Sequence, residues 1–251
     1  MKIGINGMSL GRRISGVQRY VTGLINSLDI AETNLDVTLF VPRGYRNENI
    51  RDGNVTLSRA LIGGRINSIR IMWEQFWLPF KVLPFSFDLF HFPAYVHPPV
   101  RGIPTVLTVH DTFAVTDPET CRHRQNRNLQ KRFLQRSVER ADRIITPTKR
   151  VKRDLCSEYE CSEDSVDVIP MGVQSYDAED ATEDRKVLSG LDISEKPFIF
   201  ALAGREPRKN VKFLLKGVFA ALMHTRKDCN LVIGGYRADR GSGIKKLLTE
   251  L

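Results

Sequence analysis

The sequence predicts an α/β fold on an open, mostly parallel sheet, with a first domain complete and a second only begun. Three observations carry this expectation. Short apolar runs alternate with amphipathic helical patterns, the signature of βαβ units. At least six strand patterns precede Val173. The composition then changes: Gln174–Asp184 carries Asp177, Glu179, Asp180, Glu183 and Asp184 with almost nothing apolar, which marks an exposed linker. The expected organisation is a first domain over residues 1–173, a linker over 174–196 and a second domain from 197 to 251.

Lys2–Asn6 reads as the first strand. Ser15-Gly16-Val17-Gln18 is a Ser-x-x-Gln capping box that starts a helix, and Val17, Tyr20, Val21, Leu24, Ile25 and Leu28 give it one apolar stripe. Asp36–Val41 is the second strand and Val55–Leu57 a short third. Asn67–Val82, with Trp73, Phe76, Trp77 and Phe80, is expected to be a buried helix ending near Pro79, its aromatic stripe belonging to the core. Asp88–Phe92 and Thr105–Val109 are buried strands. A basic helix over Arg122–Arg140 follows, with Leu129, Phe133, Leu134 and Val138 facing inward. Arg143–Thr146 and Val166–Ile169 are strands flanking a polar helix, Lys149–Ser157. Beyond the linker come a buried strand Phe198–Ala203, a helix Val211–Met223, a strand Asn230–Gly234 and a last helix from Ile244.

The formal charge of +9 is unevenly spread. Arg122–Arg153 holds twelve Lys/Arg against Glu139 and Asp142, enough to account for the whole excess. That segment reads either as a solvated helix face or as an attractor of anionic lipid headgroups or a nucleotide-linked substrate. Nucleic acid is not expected, because no aromatic platform is interleaved with the basic residues. The start has too short an apolar run for a signal peptide, and no 18-residue uncharged apolar stretch occurs. A cytoplasmic protein is expected, peripheral at most at the inner membrane face. The four cysteines are irregularly spaced, and Cys156-x4-Cys161 lacks the second pair a zinc site needs, so no metal is expected.

Two places could hold phosphate. Strand Phe198–Ala203 ends in Gly204-Arg205-Glu206-Pro207-Arg208-Lys209-Asn210 and feeds a helix start, where free N–H groups, the helix dipole and the charges of Arg205, Arg208 and Lys209 all favour a diphosphate. Gly16, at the first helix N-terminus, lets a ligand approach bare backbone. Neither G-x-G-x-x-G nor G-x-x-x-x-G-K-[ST] is present, which disfavours a nicotinamide site and excludes a P-loop. His110-Asp111 directly follows Thr105–Val109, and open α/β sheets bind ligands at the carboxyl ends of their strands. His110 is therefore the candidate catalytic residue, the bland alternative being a histidine that only bonds within its loop.

In order, the chain shows Gly16-Val17-Gln18-Arg19-Tyr20, Asp88-Leu89-Phe90-His91, Val109-His110-Asp111, Ala141-Asp142-Arg143-Ile144-Ile145-Thr146-Pro147-Thr148, Val168-Ile169-Pro170-Met171-Gly172-Val173 and Glu206-Pro207-Arg208-Lys209-Asn210. This series resembles the retaining glycosyltransferases of the GT-B fold, group 1 (family 4), especially the mannosyltransferase-like members. The resemblance implies two Rossmann-like domains, with the acceptor mostly on the first and the nucleotide-sugar on the second. It places Gly16, Arg205, Arg208 and Lys209 at the donor diphosphate and His110 by the donor sugar. Arg19 and Asp111 stand beside them as candidate acceptor or supporting residues. It implies a glycan or lipid-linked acceptor and neither metal nor other cofactor. Fixed cations and N–H dipoles would stabilise charge developing on the leaving diphosphate.

One family feature is missing. No two glutamates stand at Glu-x7-Glu spacing, the late second-domain motif that grips sugar and ribose. A doubly wound domain needs several units of ~30 residues, and Pro197–Leu251 supplies 55 residues. The second domain is therefore expected to be incomplete within these residues. Two readings follow: a transferase whose 251 residues alone are inactive, or a remnant that binds acceptor or membrane without turnover. A third, a nicotinamide or flavin oxidoreductase, would need the missing dinucleotide fingerprint.

Overall fold

The computed structural model describes residues 1–11, 15–28, 34–46, 50, 55–63, 67–116, 127–173, 181–191, 193, 196–202 and 209–235. The chain divides into two compact units, one spanning Met1–Asp117 and Gln125–Gln174, the other comprising Pro118–Arg124 and Ser175–Leu251.

In the first unit, strand β1 (Lys2–Asn6) leads to helix α1 (Gly16–Ser27), then β2 (Asp36–Val41) and β3 (Val55–Arg59). Two helices follow, α2 (Asn67–Phe76) and α3 (Leu78–Val82), then β4 (Leu89–Phe92), β5 (Thr105–Thr108) and a short α4 (Phe113–Thr116). Helix α5 (Arg127–Arg140), β6 (Arg143–Thr146), α6 (Lys149–Tyr159), a 3-10 turn (Glu163–Ser165) and β7 (Val166–Val168) complete it. The strands form one seven-stranded sheet in the order β3-β2-β1-β4-β5-β6-β7. Every pairing is parallel. The chain runs outward from β1 to β3 and then outward on the other side from β4, so the strand order reverses between β1 and β4. In such sheets the ligand crevice opens there, outside the carboxyl ends of the strands.

Alternation of side chains along each strand splits the core in two. On one face Ile3, Ile5, Val37, Leu39 and Val41 pack with Val21 and Ile25 of α1. On the other, Phe40, Phe90, Phe92, Leu107 and Ile144 pack with Trp73, Leu78, Val82, Leu134, Val138 and Leu155 from α2, α3, α5 and α6. Gly4 belongs to this aromatic face, and a Cβ there would lie 2.4 Å from the Phe90 ring. Two aspartates of the sequence motifs fasten strand starts. Asp88 accepts from the Lys2 N–H at 2.7 Å. Asp142 accepts from the Thr105 N–H and hydroxyl at 2.7 and 2.8 Å, and those hydrogen bonds hold its carboxyl below the usual range.

The second unit contains helix α7 (Ala181–Gly190) and a parallel pair, β8 (Phe198–Leu202) with β9 (Asn230–Gly234), joined through α8 (Val211–Thr225). Its buried cluster is Val211 and Leu215, with Leu231 and Ile233 against them.

Three expectations need correction. Asn67–Val82 is not one buried helix. The helical run breaks between Phe76 and Leu78, just ahead of Pro79, which has no N–H to donate. Of its aromatic residues only Trp73 is buried, while Phe76, Trp77 and Phe80 are exposed, because one side of the run suffices to cover the sheet. The linker range contains α7, whose Glu183, Arg185, Lys186 and Leu188 are ordinary helix formers. Strand β8, read as buried, exposes Phe198, Phe200 and Leu202, because among the described residues β9 is its sole strand neighbour. The start of the basic helix, the side chain of Leu129 and the helix expected from Ile244 lie outside the described residues.

Candidate active site

The carboxyl ends of β1, β4 and β5 bring together residues from across the first unit. After β1, Ser15 caps α1, its hydroxyl accepting from the Gln18 N–H at 3.2 Å. The Arg19 N–H reaches the Ser15 carbonyl at 3.0 Å. No hydrogen bond among the described residues engages the Gly16 and Val17 N–H groups, which stand at the positive end of the helix dipole. A Cβ added to Gly16 would meet no atom within 4 Å. Packing therefore does not require glycine here, and the backbone lies open to a ligand.

His110 follows β5 and is half-buried. Its Nε2 lies 2.9 Å from the Pro93 carbonyl, just past β4. A carbonyl can only accept, so Nε2 carries the proton, and in the neutral ring Nδ1 keeps its lone pair. The Tyr20 ring meets His110 edge-on, centroids 4.8 Å apart. Tyr20 is itself held, its hydroxyl 3.2 Å from the Thr108 Oγ1, which lies 2.8 Å from the His91 Nε2. Burial lowers the His91 pKa to about 4, so His91 stays neutral at pH 7. A chain from β4 through β5 to α1 thus fixes the ring beside His110.

Beneath the loop after β1 lies a second network. The Asn6 Oδ1 accepts from the Met8 N–H at 3.1 Å, and its Nδ2 donates to the Glu74 Oε1 at 3.3 Å. The Arg70 Nη1 donates to the same oxygen at 3.2 Å. Both charged side chains are buried. Burial raises the Glu74 pKa against the opposing pull of Arg70 and Asn6, and its Oε2 has no partner among the described residues.

Of the residues expected at the site, Gly16 and His110 share this carboxyl edge, where Tyr20, read in the sequence as part of the α1 apolar stripe, joins them. Arg19 and Asp111 are exposed close by, without side-chain bonds to one another. Lys209 is exposed in the second unit, next to Asn210, which starts α8 in a left-handed conformation without a side-chain cap. Arg205 and Arg208 lie outside the described residues. Sequence reading missed the Asn6–Arg70–Glu74 and Tyr20–His91–Thr108 networks. The one available signal was Arg70 and Glu74, an opposite-charge pair four apart in the expected helix. Among the described residues no three His, Cys, Asp or Glu side chains converge as metal ligands.

Residues 14–175 match the model of Glycosyltransferase Family 4, a span that runs from α1 to β7 and takes in Gly16, Tyr20 and His110. The chain belongs to this family. It is 23% identical over 238 residues to O-antigen chain mannosyltransferase B of Escherichia coli, a match that covers 89% of this chain and 61% of that relative's length. The fold is similar to that of sucrose-phosphate synthase from Thermosynechococcus elongatus (TM-score 0.67, 14% identity, 99% of this chain and 67% of that one). It is also similar to Anabaena Alr3699/HepE in complex with UDP and glucose (TM-score 0.62, 11% identity, 100% and 65%). UDP-GlcNAc 2-epimerase from Methanocaldococcus jannaschii shares the fold at a TM-score of 0.54. The family 4 glycosyltransferase chain is thus α/β and GT-B-like, as the sequence predicts, on a fold that hosts more than one chemistry.

Proposed function

We propose that the chain supplies the acceptor-side domain and part of the donor-diphosphate site of a retaining glycosyltransferase. The enzyme moves a hexose from a nucleoside-diphosphate sugar to a glycan or lipid-linked acceptor in polysaccharide assembly. The observation that carries this reading is the placing of His110 and the open α1 N-terminus on one strand edge, at the reversal of strand order. Support comes from family 4 membership and from a structural neighbour that holds UDP and glucose. The identity of a mannosyltransferase relative favours mannose as the sugar.

In this reading the Gly16 and Val17 N–H groups and the α1 dipole are the first unit's diphosphate ligands. Lys209, beside the start of α8, is the second unit's candidate diphosphate cation, with Arg205 and Arg208 near it in the sequence. These groups stabilise charge that grows on the leaving oxygens as the sugar–phosphate bond breaks, so they act on the transition state more than on the ground state. The His110 Nδ1, unprotonated in the neutral ring, accepts a hydrogen bond from a donor-sugar hydroxyl. Tyr20 fixes the plane in which it does so. No step is assigned to a metal.

The test offers the purified chain a panel of nucleoside-diphosphate sugars by calorimetry, then adds a lipid-diphosphate acceptor and follows nucleoside-diphosphate release. Gly16→Ala should leave the melting temperature unchanged or slightly raised, since alanine is the better helix former by roughly 0.5–1 kcal/mol. It should weaken donor binding at least about tenfold, because the added Cβ stands in the open space through which a phosphate reaches the Gly16 and Val17 N–H groups. Donor bound equally well by Gly16→Ala and Lys209→Ala would overturn the site. Binding without release in wild type would favour the remnant reading over the transferase.

A further inference from the structure

The helical run α2–α3 has two apolar sides, and only one is used. The Trp77 N–H still reaches the Trp73 carbonyl at 2.8 Å, and the Lys81 N–H reaches the Trp77 carbonyl at 3.0 Å, so the run stays nearly continuous across its break. Trp73, Leu78 and Val82 pack into the core. Ile69, Met72, Phe76, Trp77, Phe80 and Leu83 are exposed, Phe76, Trp77 and Phe80 each by more than 60%. Scattered apolar residues on a surface need no explanation, but a contiguous aromatic ledge on two consecutive helices does.

Beside the ledge runs a row of positive charge. Arg132, Arg136 and Arg140 stand at i, i+4 and i+8 on α5, which places them along one side of that helix. Arg140 faces α2: its Nη1 lies 3.5 Å from the Gln75 Oε1 and 3.1 Å from the His97 carbonyl. All three arginines are exposed, as is Lys81 on α3. Among the described residues neither Arg132 nor Arg136 has an ion-pair partner. The one acid of α2, Glu74, is buried and turned to Asn6 and Arg70.

We propose that this ledge and its arginine row are a docking surface for an anionic phospholipid bilayer. Phe76, Trp77 and Phe80 would enter the headgroup–acyl boundary while the arginines and Lys81 meet lipid phosphates, the combination that holds amphipathic helices in an interface plane. A second copy of the chain is a poorer occupant, because a two-fold contact would set each arginine row against its own image. The proposal stands apart from the transfer chemistry, since it uses none of the site residues.

The chain holds only two tryptophans, Trp73 in the core and Trp77 on the ledge, so fluorescence reads the ledge directly. Vesicles of phosphatidylglycerol should shift the emission to the blue, and brominated acyl chains in the same vesicles should quench it. Phosphatidylcholine vesicles should do neither. Phe76→Ser with Phe80→Ser should lower partitioning by at least about tenfold, and Arg132→Gln with Arg136→Gln by a similar factor that vanishes in high salt. Both pairs lie at exposed positions, and unchanged thermal melting will show that they fold. Equal binding to neutral vesicles, or binding that neither pair weakens, would overturn the proposal. So would concentration-dependent dimerisation that Phe76→Ser abolishes in a chain that ignores vesicles.

Discussion

Strands β5 and β8 are both short apolar runs in parallel sheets, yet they live in different surroundings. β5 lies between β4 and β6, with helices on both faces of its sheet, and Leu107 is fully buried. β8 has β9 on one side and α8 on one face, and Phe200 and Leu202 remain mostly exposed. Parallel strands read as continuous apolar runs because they are normally covered on both faces. The difference teaches that such a run specifies a strand, while its stability depends on how many neighbours close over it.

The largest test of this contrast is hydrogen exchange. Backbone amides of β1, β4 and β5 should exchange only on global unfolding, at protection of about 10⁴ or more for a domain of ordinary stability. Those of β8 and β9 should exchange orders of magnitude faster. Equal protection in the two sheets would break the comparison.

Substitution sharpens it. Phe90→Ala, in the fully buried aromatic face, should cost about 3–5 kcal/mol in denaturant melts of the first unit. Phe200→Ala should change stability by no more than about 0.5 kcal/mol, as expected for a largely exposed side chain. A comparable loss at both would show that β8 is covered after all.

The buried Arg70–Glu74 pair adds a pH test that the second unit lacks. Burial raises the Glu74 pKa in the folded protein, so no penalty exists below its unfolded value of about 4.3, where both states bind the proton. As pH rises from there towards the folded pKa, the unfolded chain gives up its proton while the buried carboxyl keeps it, so stability falls relative to Glu74→Gln. Parallel stability–pH curves for wild type and Glu74→Gln would sink this account. Arg70→Met should be the harsher change, about 3–5 kcal/mol, because it leaves the carboxylate unpaired.

The smallest effect expected is chemical. The Cys156 and Cys161 sulfurs lie 3.1 Å apart at the end of α6, and burial pushes the Cys161 thiol up to about 12. Alkylation of Cys161 by iodoacetamide near pH 8 should be slow, since the thiolate is the reactive form. Rapid labelling followed by mass spectrometry would show the site to be more open than its burial implies.

Much of the first unit was legible in the sequence. Its central strands are apolar runs bounded by turn residues, and the Ser15 cap and its Gln18 partner are four residues of local chemistry. The placing of His110 just past a strand and of Gly16 at a helix start was equally legible, since parallel strands all end at one edge of a sheet. Local pattern fixes such features because the backbone must satisfy its hydrogen bonds wherever it goes. Tertiary structure alone decided the rest. Tyr20, His91 and Thr108 form one network across a separation of 88 residues, which no spacing rule contains. The helical run after Asn67 has two apolar sides, and only packing on the sheet selects which is buried. The sequence records that a residue is apolar; whether water is removed from it depends on what the fold lays over it.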